Sequence, residues 1–311
     1  MNSLCYIILT HSNLKQTAEI IKILDGPGIG FIVHIDKKCT EDSTPLLNIK
    51  SVTLASKRFN IEWGDGSMVK SVFSIAKQAL DDNRNFNYFV LLSGQCVPVK
   101  NSTYIRNYFF NNAKFSFLKA IPIPSKQCEW LEGGRRRIEC YPVRLSNRDM
   151  SLIEPRKLNY GNLRQIGKTI LNFKVRPIYE MIKTFLFAPK RQSWTLQPYG
   201  GEFWWRMNRR CLESNIKYTE THSDFESQID ITAHPDEIIF NTLSFNLDAN
   251  VKNDLLTYIN WKDTNTHSPE WITLQDKNLI DKLIENPDIL FCRKVKDFEV
   301  IEYIKEKLIK V

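Results

Sequence analysis

Residues 88–98 read Tyr-Phe-Val-Leu-Leu-Ser-Gly-Gln-Cys-Val-Pro. Five consecutive apolar residues run straight into the turn Ser93-Gly94-Gln95. An unalternating apolar run of this length, closed by turn residues, is the pattern of a strand buried on both faces. Two upstream stretches repeat it. Cys5-Tyr-Ile-Ile-Leu9 ends at the turn-prone His11-Ser12-Asn13, and Phe31-Ile-Val-His-Ile35 ends at Asp36. Segments of helical period lie between them: 14–24, with Ala18, Ile20, Ile21 and Leu24, and 67–80, with Val69, Val72, Phe73, Ala76 and Leu80. A further short strand is expected at 51–55. Strands alternating with helices predict an α/β fold, a mainly parallel central sheet flanked by helices. Such sheets bind ligands beyond the carboxyl ends of their strands. His11, Asp36, Ser93 and Gly94 would therefore share one rim, which is the first candidate site.

The composition is that of a folded chain. Of 311 residues, 42% are hydrophobic, 12% aromatic and 25% charged, which excludes a disordered polymer or a fibre. Seven scattered cysteines without a CxxC pair read as reduced thiols rather than a disulfide framework or a zinc site. No apolar run approaches the roughly 20 residues a bilayer needs. With no leader visible, a cytoplasmic protein is expected, at most peripheral on the inner face of the membrane.

Lys and Arg outnumber Asp and Glu by 43 to 35, a net charge of +8. Within 151–191 stand nine basic and two acidic residues, so this stretch carries +7 and the rest of the chain +1. Its basic residues interleave with Leu163, Ile166, Ile170, Phe173, Met181, Ile182 and Phe185. Basic amphipathic helices bind anionic membrane surfaces. The same pattern fits a solvated helix pair capping a core. A nucleic-acid-binding protein is a rival reading of the charge, although no DNA- or RNA-binding module is visible, and no nucleic-acid partner is expected.

The chemistry rests on few residues. There is no Walker loop, GxGxxG, HExxH or G-x-S-x-G, and no Asp-x-Asp pair for a metal on a nucleotide diphosphate. In His234-Pro-Asp-Glu237, Pro235 suits a first helical position and the acids suit a first turn. A helix start favours a carboxylate by about 0.3–1 kcal/mol. Glu237 could therefore serve as a base accepting a hydroxyl proton, or simply complement the helix end. Arg293 and Lys294 follow an apolar run and could neutralise a diphosphate leaving group, or cap a solvated strand. Asp36 could accept a hydrogen bond from a uracil or ribose, or serve a turn. His34, inside a strand, reads as a core histidine. Residues 200–205 read as a strand-like aromatic run, in which Trp204 and Trp205 could stack on a sugar or pack in the core.

Taken in order, seven segments resemble glycosyltransferase family 14, the core-2/I-branching N-acetylglucosaminyltransferases and peptide O-xylosyltransferases. They are Val33-His-Ile-Asp-Lys37, Trp63-Gly-Asp-Gly-Ser67, Leu91-Leu-Ser-Gly-Gln95 with Pro98, residues 135–141, Gly201-Glu-Phe-Trp-Trp205, His234-Pro-Asp-Glu237 and Leu290-Phe-Cys-Arg-Lys294. The resemblance spans roughly residues 4–297. It implies a GT-A-like fold, a UDP-sugar donor and an inverting transfer without a metal. It makes Glu237 the catalytic base, Lys294 the diphosphate contact and Asp36 the uridine contact. It also places Arg136 on the acceptor side, with Arg135 and Arg137 equally eligible. Two positions depart from the family pattern. Cys96 stands where the family commonly carries Asp, and Glu270 stands where it often carries a base, a charge that Arg293 or Lys262 would have to supply.

The expectation is one glycosyltransferase domain over 1–311. Residues 1–125 would form a nucleotide-sugar-binding half, and 126–311 an acceptor and catalytic half carrying the basic insertion 151–191. The donor would meet His11, Asp36, Ser93, Gly94, Arg293 and Lys294. The acceptor, a glycan or lipid-linked glycan, would meet Arg136, Trp204 and Trp205. GlcNAc is the first donor sugar suggested and xylose the second, in bacterial surface polysaccharide synthesis. The alternative is a catalytically inactive nucleotide-sugar-binding relative.

Overall fold

The computed structural model describes residues 3–157, 160–171, 175–261 and 268–309, the side chains of 168, 171 and 175 excepted. The strands are β1 Leu4–Thr10, β2 Ile29–Ile35, β3 Val52–Leu54, β4 Tyr88–Ser93, β5 Val97–Pro98, β6 Ser116–Leu118, β7 Ala120–Pro122, β8 Tyr141–Ser146, β9 Asp149–Ile153, β10 Tyr199–Gly201, β11 Arg206–Asn208, β12 Val251–Asn253, β13 Thr257–Ile259 and β14 Phe291–Arg293. Seven of them form the central sheet in the order β12-β6-β11-β4-β1-β2-β3. Every pairing in it is parallel except those of β11, which runs antiparallel to β4 and β6. The α/β architecture expected, a mostly parallel central sheet flanked by helices, is what the chain adopts. Strands from both halves of the sequence share this sheet.

The unalternating apolar strands are explained by the two faces of the sheet. Successive side chains of a strand point to opposite faces. Leu4, Tyr6 and Ile8 enter one core with the helices Leu14–Leu24 and Phe298–Ile309. Cys5, Ile7 and Leu9 enter a second core with the helices Ser67–Leu80, Arg209–Thr221 and Ile239–Leu247. Both layers are covered, so both sets of alternate positions are apolar along most of these strands, and the buried His34 of β2 is hydrogen-bonded.

One expectation needs correction. Only Gly200 and Gly201 of the 200–205 run are extended, in β10, paired with β7. At Gly201 the chain lies so close to β7 that a Cβ would meet the Lys119 carbonyl oxygen at 2.0 Å. Residues 202–205 then leave that ladder, and β11 joins the central sheet. The basic stretch 151–191 does not stand alone. β8 and β9 form an antiparallel hairpin, and with the helices Tyr160–Leu171 and Val175–Phe187 they enclose a separate small core of Val143, Ile153 and Met181. Phe173 lies outside the described residues.

Candidate active site

The ends of β1, β2 and β4 stand in register, Thr10 beside Ile35 and Leu9 beside Ser93, which forms the expected rim. Asp36 is buried there. Its amide donates to the Thr10 carbonyl at 2.8 Å, and its carboxylate accepts from the amides of Lys38 at 2.8 Å and Ile61 at 3.1 Å. The side chain thus fixes the loop beyond β2. His34 is a core histidine: Nε2 accepts from the Phe59 amide at 2.9 Å, and burial lowers its pKa. His11 is exposed.

Gly94 is set by a close approach. A Cβ there would lie 2.6 Å from Thr17 Oγ1 and 2.8 Å from Thr10 Oγ1. Gln16 donates to the carbonyls of Gly94 and Val295, both at 2.9 Å, and the Val295 amide donates to the Gln95 carbonyl at 3.1 Å. These bonds fasten the segment after β14 to the rim. Ser93 Oγ accepts from the Gln95 amide and lies 3.2 Å from the sulfur of buried Cys96, so Cys96 faces inward.

β14 delivers the basic pair. The Arg293 guanidinium lies 4.2 Å from the centre of the Trp204 ring. The residue is 8% exposed, and its Nε and Nη1 make no hydrogen bond to the described residues. Lys294 donates to Ser268 Oγ. Burial lowers its pKa, and the charges of Arg293 and Arg148 lower it further. Desolvated cations crowded together in this way are relieved by an anion. The Glu270 amide donates to the Asn260 carbonyl at 2.9 Å. Lys262 lies outside the described residues.

The acids come from another direction. Pro235–Glu237 forms a short 3-10 turn before the helix Ile239–Leu247, with Pro235 in its first turn as expected. The preceding His234 adopts the left-handed conformation, φ 50°. It is braced by the Trp63-Gly-Asp-Gly segment: its amide donates to the Gly64 carbonyl at 3.0 Å, and its ring meets Trp63 edge-on at 4.5 Å. Gly64 itself has φ 75°, and a Cβ there would press on the His234 ring at 3.0 Å. Glu237, about one-third exposed, is paired with Arg137, whose guanidinium lies 3.6 Å from the Trp130 ring centre. Burial raises the pKa of Asp236, and the neighbouring charge of Glu237 raises it further.

Glu202, which sequence reasoning missed, completes the site. Asn241 ties it to Glu237 by donating to both main-chain carbonyls, at 3.1 and 2.9 Å. Burial raises the pKa of Glu202, and the charge of Glu237 adds to this. Arg293 and a hydrogen bond from the Trp261 side chain pull the other way. Glu202 and Trp261 line a cleft of about 290 Å³ with Lys119, Asp254 and Thr257.

Two acceptor-side expectations are corrected. Trp205 is fully buried against Phe240 and is core. Arg136 is 1% exposed and donates to the Leu152 carbonyl and Asn162, so it is a structural residue. The arginine at the acid is Arg137, and Trp204 rather than Trp205 lies at the basic pair.

The family model for the Core-2/I-branching enzyme matches residues 4–283. The chain belongs to this family. It is thereby a member of a glycosyltransferase family, as its segments suggested. Xylosyltransferase oxt of Drosophila melanogaster is 26% identical over 110 residues, covering 34% of this chain and 13% of that protein. The chain therefore matches only a small part of that relative's length. A Bacillus anthracis protein assigned as a glucose-1-phosphate thymidylyltransferase, solved with sucrose, overlaps 73% of this chain and 94% of its own at 10% identity. Its TM-score of 0.26 is too low to bear on function.

Within this Core-2/I-branching family member, the signal for Glu202 was in the sequence: a lone acid between Gly-Gly and three aromatics. Nothing in Arg135-Arg136-Arg137 marks which arginine faces the acid.

Proposed function

We propose that this protein transfers a sugar from a UDP-sugar to a glycan hydroxyl, with inversion at the anomeric carbon and without a metal. The observation that carries the reading is the meeting, through Asn241 and Trp204, of the Glu237–Glu202 acids with the Arg293–Lys294 cations. The diphosphate sits against Arg293 and Lys294, where the free guanidinium donors of Arg293 find acceptors. Asp36 and the Ser93 turn border the nucleoside. Glu237 takes the proton of the acceptor hydroxyl as its oxygen bonds to the anomeric carbon. The bond from that carbon to the phosphate oxygen breaks, and UDP leaves with the electron pair. One displacement inverts the centre and needs a single base. Glu202, held less acidic by its surroundings, hydrogen-bonds the acceptor and sets its hydroxyl toward Glu237. The cations stabilise the developing phosphate charge, as a metal would elsewhere. Among the described residues, no three His, Cys, Asp or Glu side chains stand together to hold a metal ion.

GlcNAc is the first donor sugar proposed and xylose the second. The acceptor is a glycan, free or carried on a lipid, in surface polysaccharide synthesis. The test is a thermal-shift and transfer panel of UDP, UDP-GlcNAc, UDP-xylose, UDP-glucose and UDP-galactose, with and without EDTA. Ligand at a hundredfold excess over its Kd adds about 2.7 kcal/mol of stability. Stabilisation by UDP and by one UDP-sugar, indifferent to EDTA, is expected. No stabilisation at millimolar ligand would overturn the reading.

A further inference from the structure

The annex built on β8, β9 and the helices Tyr160–Leu171 and Val175–Phe187 has a surface that its own core does not explain. Of the fourteen large hydrophobic residues exposed among the described residues, seven lie between Tyr160 and Phe187. They follow helical spacing. Tyr160, Leu163 and Ile170 form one exposed stripe, and a Cβ at Gly167 within it would touch nothing within 4 Å. Tyr179, Ile182 and Leu186 form another at i, i+3, i+7 on the second helix. Both lie away from the buried positions, which are Asn162 and Thr169 on the first helix and Met181 on the second. A helix with one apolar face needs one partner; these helices have a second apolar stripe facing solvent.

The charge beside the stripes names the partner. Arg164, Arg176 and Lys183 are exposed next to them on the helical wheel, and Arg156, Lys157 and Lys190 are exposed at the ends of the helices. The acids within the segment are Glu154, paired with Arg135 and Lys157, and Glu180. An anionic bilayer accepts both features: aliphatic side chains enter the acyl boundary, tyrosines sit at headgroup level, and long basic side chains reach the phosphates. A second copy of this chain would set the same positive surface against itself, which electrostatics opposes. We propose that this annex docks on an anionic lipid surface through the exposed stripes of its two helices, flanked by Arg164, Arg176 and Lys183. The annex is tied to the active site, because Arg135 pairs with Glu154 and Arg136 donates to the Leu152 carbonyl, next to Arg137. Docking would hold the Glu237 side of the site near the membrane, but it does not depend on the reaction.

The test is flotation of the full chain with phosphatidylcholine vesicles, with and without phosphatidylglycerol. Each cation near an anionic surface contributes measurably, so partition onto the anionic vesicles is expected to be about tenfold higher or more at low salt. It should fade as salt shortens the screening length. Ile182→Ser with Leu186→Ser, and separately Arg176→Glu with Lys183→Glu, should each cut that partition severalfold. All four sites are exposed, so an unchanged melting temperature checks the fold. Equal partition onto neutral and anionic vesicles would overturn the proposal, as would full binding by both double variants. If light scattering shows a dimer that the same variants dissociate, with no effect on lipid, the face belongs to a second copy and the proposal falls.

Discussion

Arg137 holds Glu237 in an ion pair formed across 100 residues of chain, on a guanidinium stacked over Trp130. The pair fixes where the carboxylate points. A base must lie within hydrogen-bond reach of the proton it takes, so an arginine that aims the carboxylate controls the rate without touching the reacting bond. Arg137→Met is expected to leave the fold and UDP affinity intact and to lower the transfer rate by about tenfold or more. Neighbouring Arg136→Met gives the contrast. Its guanidinium is buried on the Leu152 carbonyl, and losing it strands that acceptor, so stability should fall by about 2–4 kcal/mol. Urea unfolding of the two variants beside a transfer assay separates the roles. Equal effects on stability would refute the assignment.

Glu237→Gln removes the proposed base and keeps the shape. General-base contributions run at about 10²–10⁴-fold, and a loss of that size in kcat is expected with UDP binding unchanged. A folded Gln variant with full transfer activity would exclude Glu237 as the base.

The cations should act on the other substrate. Arg293→Ala and Lys294→Ala should each weaken UDP binding by about ten- to a hundredfold, the worth of a charge-assisted hydrogen bond of roughly 1.5–3 kcal/mol. Arg293→Lys should not restore it, because the stacked planar fork is lost. Calorimetry with UDP and with uridine decides the point: uridine affinity should hardly change. An equal loss for both ligands would move Arg293 and Lys294 off the diphosphate.

Asp236 gives a pH signature. Its pKa is raised in the folded state, chiefly by burial. A carboxyl of this kind keeps its proton longer folded than unfolded. Its contribution is whole below the ordinary carboxylate range and is lost as pH rises through the folded value. Asp236→Asn stays neutral throughout. Between about pH 5 and pH 8, the variant should gain on the parent by about 1 kcal/mol or more in urea unfolding. Parallel stability curves would show that this carboxyl does not titrate differently on folding.

Much of the fold was legible because its signals are local. The short apolar runs at 5–9 and 88–92, and the one at 31–35 broken only by His34, read as strands covered on both faces, and the two cores either side of the sheet are the reason. The helices Leu14–Leu24 and Ser67–Leu80 follow the periodicity to the residue. The 200–205 run misled because its aromatics suit a strand, while the ladder with β7 ends at Gly201.

The sequence by itself determined the α/β class, the family, the rim formed by Asp36, Ser93 and Gly94, and the turn carrying Glu237. Each depends on neighbours a few residues apart, through hydrogen-bonded periodicity, turn chemistry and a helix start. Only the tertiary structure decided that Arg137 rather than Arg136 meets the acid, that Trp204 lies at the cations while Trp205 packs in the core, and that Glu202 joins Glu237. Adjacent side chains on a helix or an irregular segment leave the backbone in different directions. Which of them meets a partner a hundred residues away is fixed by packing, and no local pattern encodes it.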